Sequence, residues 1–207
     1  MTAADTEASV TTYAALVWPA KAEGWSKPVR AVILVLLGAA FLTLSAKIQV
    51  PGPVPMTLQT LAVLALGAML GFRLATLSVL LYLAEGALGW PVFANTPPLA
   101  PGLGYLLGPT GGFLLGFVLA AGISGTAADR GIARRPLLFA GWLATASAAM
   151  LAMGWLWLAL VTLPAGSFVR AFEMGIRPFL LGEGIKLALA AVSLPLALDG
   201  LRRLLGR

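Results

Sequence analysis

The chain has 207 residues, of which 59% are hydrophobic and 11% are charged, and its formal net charge is +6. A soluble domain carries about a quarter charged residues, whereas residues 86–128 and 136–169 contain none at all. A water-soluble fold of this size is therefore excluded, and the composition predicts an integral membrane protein. The basic residues lie between apolar stretches and not along one face with interleaved aromatic rings, which excludes a nucleic-acid partner.

The sequence contains no histidine and no cysteine. The usual zinc sites, haem ligation, thiol catalysis and a histidine general base are therefore excluded. We predict no metal site and no cofactor, and the sequence has no phosphate-binding loop or dinucleotide fingerprint. The missing residue types favour a protein that binds a small molecule without catalysing a reaction.

The hydrophobic pattern predicts a polar cytoplasmic N-terminal tail over residues 1–28 and a membrane domain over residues 29–207. A spanning helix needs about 20 mostly apolar residues. Six stretches are predicted to span the membrane, at about 29–46, 57–71, 74–88, 110–127, 137–160 and 179–198. The expected fold is therefore an all-α bundle of six transmembrane helices.

The connections between these spans carry their own signals. Three prolines within residues 51–55 predict a stiff loop, because proline cannot continue a helix, and Pro195 is expected to kink the last span. Phe72 and Arg73 predict a tight turn that makes the second and third spans a helical hairpin. The loop over residues 89–109 is rich in Pro and Gly but uncharged, so we expect it to fold back on the protein.

The distribution of basic residues predicts the orientation. With six spans, ten of the fourteen Lys and Arg residues lie on the side of the N-terminus and four on the other side. Cytoplasmic loops carry the excess of Lys and Arg. We therefore expect both termini in the cytoplasm and a multi-pass protein in contact with membrane lipid.

Glu183 and Lys186 are the strongest candidates for chemistry. They lie at positions i and i+3, on one face of the last helix, and ionisable groups inside a span usually face a cavity or a partner. An ammonium there would suit a ligand carboxylate, and the neighbouring carboxylate could accept ligand N–H groups. The alternative is that the two side chains pair only with each other or extend to the membrane surface.

Further candidates offer aromatic rings or hydrogen-bonding groups in the uncharged loop, near the end of the third span and at the start of the second span. Aromatic rings stack on flat ligands, and an amide both donates and accepts hydrogen bonds. For Glu85, an acid at the membrane interface beside aromatic residues is an equally good interpretation. The candidates of this group are Gln59, Tyr82, Glu85, Phe93, Asn95 and Tyr105.

Four motifs carry a resemblance to a known family. They read VPMTLQT over 54–60, GAMLGFRLATLSVLLYLAEGALGWPVFA over 67–94, LLGPTGGFLLGF over 106–117 and PFLLGEGIKLALA over 178–190. In this order and spacing they closely resemble BioY, the biotin-specific substrate-binding subunits of energy-coupling-factor (ECF) transporters of prokaryotic cell membranes. The resemblance covers most of the chain from the first span onward.

The resemblance implies a six-helix subunit that binds biotin at its outward-facing side and associates with a transmembrane coupling protein and two ATPase subunits. The closing motif of the family reads Gly-Asp-x-x-Lys, and this chain has Gly182, Glu183 and Lys186 there. On this basis Lys186 is expected to meet the carboxylate of biotin, and Glu183 and Asn95 its polar edges. The apolar part would lie against the rings of Phe93, Tyr82 and Tyr105.

Three alternatives remain open at this point. A related subunit for thiamine or riboflavin would share these features. A membrane enzyme is disfavoured by the absence of histidine and of paired acidic motifs within a span. An assembly subunit without a ligand would use Glu183 and Lys186 only to bind each other or a partner helix.

Overall fold

The computed structural model of the protein describes residues 12–17, 26–50, 56–164 and 166–205. The predicted stiff loop at residues 51–55 and most of the predicted tail lie outside this part of the chain. The α-helices of the described residues are α1 Tyr13–Val17, α2 Ser26–Lys47, α3 Gln59–Ala87, α4 Leu103–Leu106, α5 Gly111–Asp129, α6 Pro136–Trp157, α7 Phe168–Gly175 and α8 Leu180–Leu204. A π-helical turn, Leu158–Thr162, continues α6, and the 3₁₀ turns Ile132–Arg134 and Arg177–Phe179 precede α6 and α8.

A two-stranded antiparallel pair connects α2 to α3. Strands β1 Gln49–Val50 and β2 Met56–Thr57 pair with Gln49 opposite Thr57. The all-α prediction holds for the long elements, and this short pair was not predicted, since two-residue strands leave no periodic pattern in a sequence. The pair returns the chain to the start of α3 and thereby fixes where that helix begins.

Five helical segments of the described residues are long and apolar enough to cross a membrane. They are Lys27–Lys47, Gln59–Ala87, Gly111–Asp129, Pro136–Thr162 and Phe168–Leu204. The sequence predicts six spans, and the difference arises because Gln59–Ala87 covers the predicted second and third spans. The last span is predicted over about 179–198, and the helix that contains most of it continues beyond Pro195 to Leu204, because polar side chains end an apolar run without ending a helix.

The second of these segments reverses direction in its middle. Gly71 has φ 77° and ψ 177°, a conformation that glycine adopts readily and other residues do not. Gln59 Nε2 lies 2.7 Å from the Tyr82 hydroxyl, whereas a straight helix would separate these residues by about 35 Å at about 1.5 Å per residue. Helix α3 therefore consists of two antiparallel limbs, 59–70 and 72–87, which is the predicted hairpin.

The end of α5 packs directly against this reversal. The backbone N–H of Phe72 donates a hydrogen bond of 2.9 Å to Asp129 Oδ2. A methyl group added at Gly125 would lie 2.6 Å from the Phe72 nitrogen, so the backbones of α3 and α5 touch here. The Asp129 carboxylate thus accepts a hydrogen bond at the N-terminal end of the second limb, where a negative charge is favourable.

The helices differ in how much of their surface the protein covers. The apolar window of α5 is 67% buried, whereas that of α2 is 28% buried. Helix α5 is therefore the central helix, packed between α3 and α6. Helix α2 lies at the periphery and exposes large apolar side chains such as Val32, Leu36 and Leu37.

Hydrogen bonds join helix α1 to α2 and to α8. The Tyr13 hydroxyl donates a hydrogen bond to the Leu194 carbonyl oxygen on α8. Arg30 on α2 donates a hydrogen bond of 2.8 Å to the Ala14 carbonyl oxygen. Burial raises the pKa of Tyr13 to about 12, so the hydroxyl remains a donor at any physiological pH.

Candidate ligand-binding site

A cavity of about 200 Å³ lies between the first turns of α3, α5 and α8 and the middle of α6. The loop between α3 and α4, which we call the 90–102 loop, closes one side of it. The lining residues are Met56, Thr57, Gln59, Thr60, Ala94, Asn95, Tyr105, Thr110, Phe113, Leu114, Phe117, Met150, Leu151, Phe179, Glu183 and Lys186. The lining is mostly apolar with a few polar groups, as is typical of small-molecule sites.

Glu183 and Lys186 supply the only charges in this lining. Lys186 Nζ donates a hydrogen bond of 2.5 Å to Glu183 Oε1, and the two side chains are 7% and 9% exposed. A first turn of helix places them on the same face, as predicted. The pair keeps the net charge of the buried site at zero, which lowers the cost of desolvation.

The second carboxylate oxygen of Glu183 is buried but has no hydrogen-bond partner among the described residues. The first oxygen, Oε1, also accepts a hydrogen bond of 3.0 Å from the Thr60 hydroxyl. A buried acceptor without a donor costs about 1–3 kcal/mol. Glu183 Oε2 is therefore suited to accept an N–H group from a ligand, and Lys186 has further N–H groups for an anionic oxygen.

Gln59 lies at the start of α3 with its amide held on both sides. Its Nε2 donates to the Tyr82 hydroxyl at 2.7 Å, and its Oε1 accepts from the Thr57 hydroxyl at 3.1 Å. Gln59 and Thr57 line the cavity, whereas Tyr82 is fully buried behind them. The amide is thus presented to the cavity in one fixed orientation.

Three aromatic rings pack together beside the cavity. Phe93 stacks on Tyr105 with ring centroids 4.8 Å apart, and it meets Tyr82 edge-on at 5.4 Å. Of these rings only Tyr105 lines the cavity. Its hydroxyl donates a hydrogen bond of 2.9 Å to the Ala94 carbonyl oxygen, and burial raises the pKa of Tyr105, so the phenol stays protonated.

The cavity has a buried floor and a solvent-exposed mouth. Asn95 and Thr110 line the cavity and are exposed, so the mouth lies at these residues. Asn95 has φ 55°, and its Oδ1 accepts a hydrogen bond of 2.6 Å from Gln49 Nε2. The floor consists of the buried side chains Gln59, Thr60, Glu183 and Lys186.

The structure brings five of the eight predicted site residues to this cavity: Gln59, Asn95, Tyr105, Glu183 and Lys186. Tyr82 and Phe93 are fully buried and support the lining from behind. Glu85 is partly buried and does not line the cavity. The described residues contain no cluster of three or more His, Cys, Asp or Glu side chains that could hold a metal ion.

Several lining residues were not predicted from the sequence. Thr60 lies 123 residues from its partner Glu183, and no local spacing connects them. Met56 and Thr60 belong to the VPMTLQT motif, which is the one signal that could have identified them. The apolar lining residues Phe113, Phe117, Met150, Leu151 and Phe179 resemble ordinary packing residues of a span.

Comparison with known proteins identifies the family. The profile of the BioY family matches residues 12–203. The chain belongs to the BioY family. The resemblance predicted from the four motifs is thereby confirmed.

Members of the BioY family from two other sources align with most of the chain. A probable biotin transporter BioY of Pyrococcus horikoshii is 38% identical over 162 residues, which are 78% of this chain and 91% of the relative. The biotin transporter BioY of Thermotoga maritima is 35% identical over 164 residues, 79% of this chain and 92% of the relative. The alignments leave little of either relative uncovered.

A solved structure shares the fold. It is the S-component for biotin from an ECF-type ABC transporter, with a TM-score of 0.72 and 20% sequence identity. The match covers 86% of this chain and 95% of the solved chain. The helical arrangement described above therefore matches an S-component fold.

Proposed function

We propose that this chain is the biotin-binding subunit of a vitamin uptake transporter and is not an enzyme. It captures biotin with high affinity at its outer side. The observation that carries the proposal is the buried pair Glu183–Lys186 at the floor of a mostly apolar cavity. The biotin transporters among the relatives and the structural neighbour named for biotin support the same ligand.

The cavity complements the chemistry of biotin. Biotin carries a carboxylate on an aliphatic tail, an apolar sulfur ring and a ureido group with N–H donors. The carboxylate and the ureido group lie at opposite ends of biotin. One polar end binds at the floor, where Lys186 donates N–H groups and the unpaired Glu183 Oε2 accepts one, and the other end lies toward the mouth. Asn95 binds a polar edge at the mouth, and the ring of Tyr105 contacts the apolar part.

The proposal includes six membrane crossings, with the two limbs of α3 crossing separately and both termini in the cytoplasm of a prokaryotic cell. The reversal at Gly71 and the excess of basic residues on the terminal side support this topology. The chain has no nucleotide-binding motif. The resemblance to ECF substrate-binding subunits implies that a transmembrane coupling subunit and two ATPase subunits supply the energy for transport.

An assembly subunit without a ligand would show the same contact between Glu183 and Lys186. The cavity and the unpaired Glu183 Oε2 favour a ligand. The test is equilibrium binding of biotin, thiamine and riboflavin to the purified chain in nanodiscs. We expect a Kd for biotin below about 1 µM and no saturable binding of the other two. Binding of thiamine or riboflavin without biotin would contradict the ligand assignment.

A further inference from the structure

Lys47, the last residue of α2, makes contacts that neither membrane topology nor the cavity lining requires. Its Nζ donates to the carbonyl oxygens of Phe93 and Thr96, at 2.8 and 2.6 Å, and to the Thr96 hydroxyl at 3.2 Å. An ammonium group has three N–H donors, so these contacts use all of them. Hydrogen bonds from an ionised donor are about twice as strong as neutral ones.

These contacts bracket the part of the 90–102 loop that closes the cavity. Ala94 and Asn95 line the cavity and lie between the two residues that Lys47 holds. The loop contains no charged side chain, and Lys47 is the charged group that binds its backbone within the described residues. Gln49, two residues further along, holds the Asn95 side chain at 2.6 Å. The end of α2 therefore fixes the position of the cavity mouth.

We propose that Lys47 is a positioning residue that holds the 90–102 loop in place at the mouth and so slows the release of ligand. It acts through the backbone of Phe93 and Thr96 and does not line the cavity. Lys47 is exposed, so water can replace its contacts when the loop opens. This inference rests on the proposed binding function.

The first test measures the dissociation rate of labelled biotin from the chain in nanodiscs. We expect Lys47→Met to accelerate dissociation about tenfold and to change the association rate much less. Lys47→Arg keeps the charge and the N–H donors, so its rate of biotin dissociation should be closer to that of the unsubstituted chain. The matched control is Lys27→Met at the other end of the same helix, where the side chain is exposed. It should leave dissociation unchanged.

The second test needs no ligand. Since the chain has no cysteine, Leu99→Cys, at a position 53% exposed in the loop, accepts a single spin label. Lys47→Met should narrow the label's spectrum, which reports faster loop motion, and Lys27→Met should not. If Lys47→Met yields too little folded protein, Lys47→Gln takes its place in both tests.

The outcomes separate this inference from the proposed function. If the unsubstituted chain binds no biotin, the proposed function fails. The spin-label test still applies in that case, and a spectrum that Lys47→Met leaves unchanged would overturn the loop-holding role. The inference is overturned if Lys47→Met leaves biotin dissociation unchanged. Equal acceleration by Lys27→Met would also overturn it, because loss of any positive charge would then suffice.

Discussion

Gln59 and Tyr82, one on each limb of α3, are joined by a hydrogen bond of 2.7 Å from Gln59 Nε2 to the Tyr82 hydroxyl. Gln59 lines the cavity, and Tyr82 is fully buried behind it. One hydrogen bond therefore both connects the limbs and orients an amide of the proposed binding site. Changes at Tyr82 are expected to alter ligand binding without touching the ligand.

Tyr82→Phe removes this hydrogen bond and the longer one, 3.4 Å, that the hydroxyl donates to the Val92 carbonyl oxygen. It keeps the packing of the ring against Phe93. We expect the affinity for biotin to fall about fivefold, because a typical hydrogen bond contributes about 1 kcal/mol. Equilibrium binding of biotin measures the change. Tyr13→Phe is the control, since the Tyr13 hydroxyl bonds to Leu194 on α8 and not to a lining residue. Equal losses in both variants would contradict the orienting role.

Lys186→Met and Glu183→Gln test the buried ion pair. Lys186→Met leaves a buried carboxylate without its cation, so we expect it to lower the free energy of unfolding by about 3 kcal/mol and to abolish detectable binding. The double variant should recover most of the stability but not the binding. Thermal unfolding and equilibrium binding of biotin measure the two effects separately.

The control for this pair is the ion pair between Arg177 and Glu173. Their N–O distance is 2.6 Å, but the side chains are 68% and 47% exposed. Exposed pairs contribute little, so Arg177→Met should change neither stability nor affinity measurably. Biotin binding by Lys186→Met at the unsubstituted affinity would contradict the role of Lys186 in holding the ligand.

Gly71→Ala tests the reversal of α3. At φ 77° and ψ 177° an alanine is strained, and its methyl group would collide with the Asp129 carboxylate. We expect a loss of about 2 kcal/mol or more of unfolding free energy, seen as a lower midpoint of thermal unfolding. Gly141→Ala is the matched control, because a methyl group there meets nothing within 4 Å, and alanine favours the helix.

Asp129→Ala tests the contact between α5 and the second limb of α3. Loss of the hydrogen bond from the Phe72 N–H group should lower the unfolding free energy by about 1 kcal/mol. Asp129→Asn keeps an acceptor and should retain most of that stability. Asp199→Ala, at a carboxylate 58% exposed and 3.9 Å from Arg202, should have less effect than Asp129→Ala. A larger loss of unfolding free energy in Asp199→Ala than in Asp129→Ala would show that the contact with Phe72 contributes nothing to stability.

Much of this architecture was predictable because local patterns determine it. The spacing of Glu183 and Lys186 predicted that they share one helix face. In the structure Lys186 Nζ lies 2.5 Å from Glu183 Oε1. Apolar stretches identified the long helices. The turn near Phe72 predicted the hairpin, although the sequence did not single out Gly71 as the residue that reverses the chain.

The rest depended on contacts between residues distant in sequence. Thr60 donates a hydrogen bond to Glu183, which lies 123 residues later in the sequence. Lys47 donates one to Thr96, which lies 49 residues later. A threonine in an apolar helix and a lysine at the end of a span each have an ordinary local interpretation. Phe93 was predicted to contact ligand because aromatic rings often do so, but in the structure it packs behind Tyr105.

The reversal at Gly71 also restricts how the sequence can vary. Gln59 and Tyr82 are equally far from Gly71 to within one residue, and their hydrogen bond requires this symmetry. An insertion or deletion of one residue in either limb would rotate its far end by about 100° and turn one partner away. Length changes during evolution are therefore expected to accumulate in the surface loops and the N-terminal segment, while the two limbs of α3 keep a fixed number of residues.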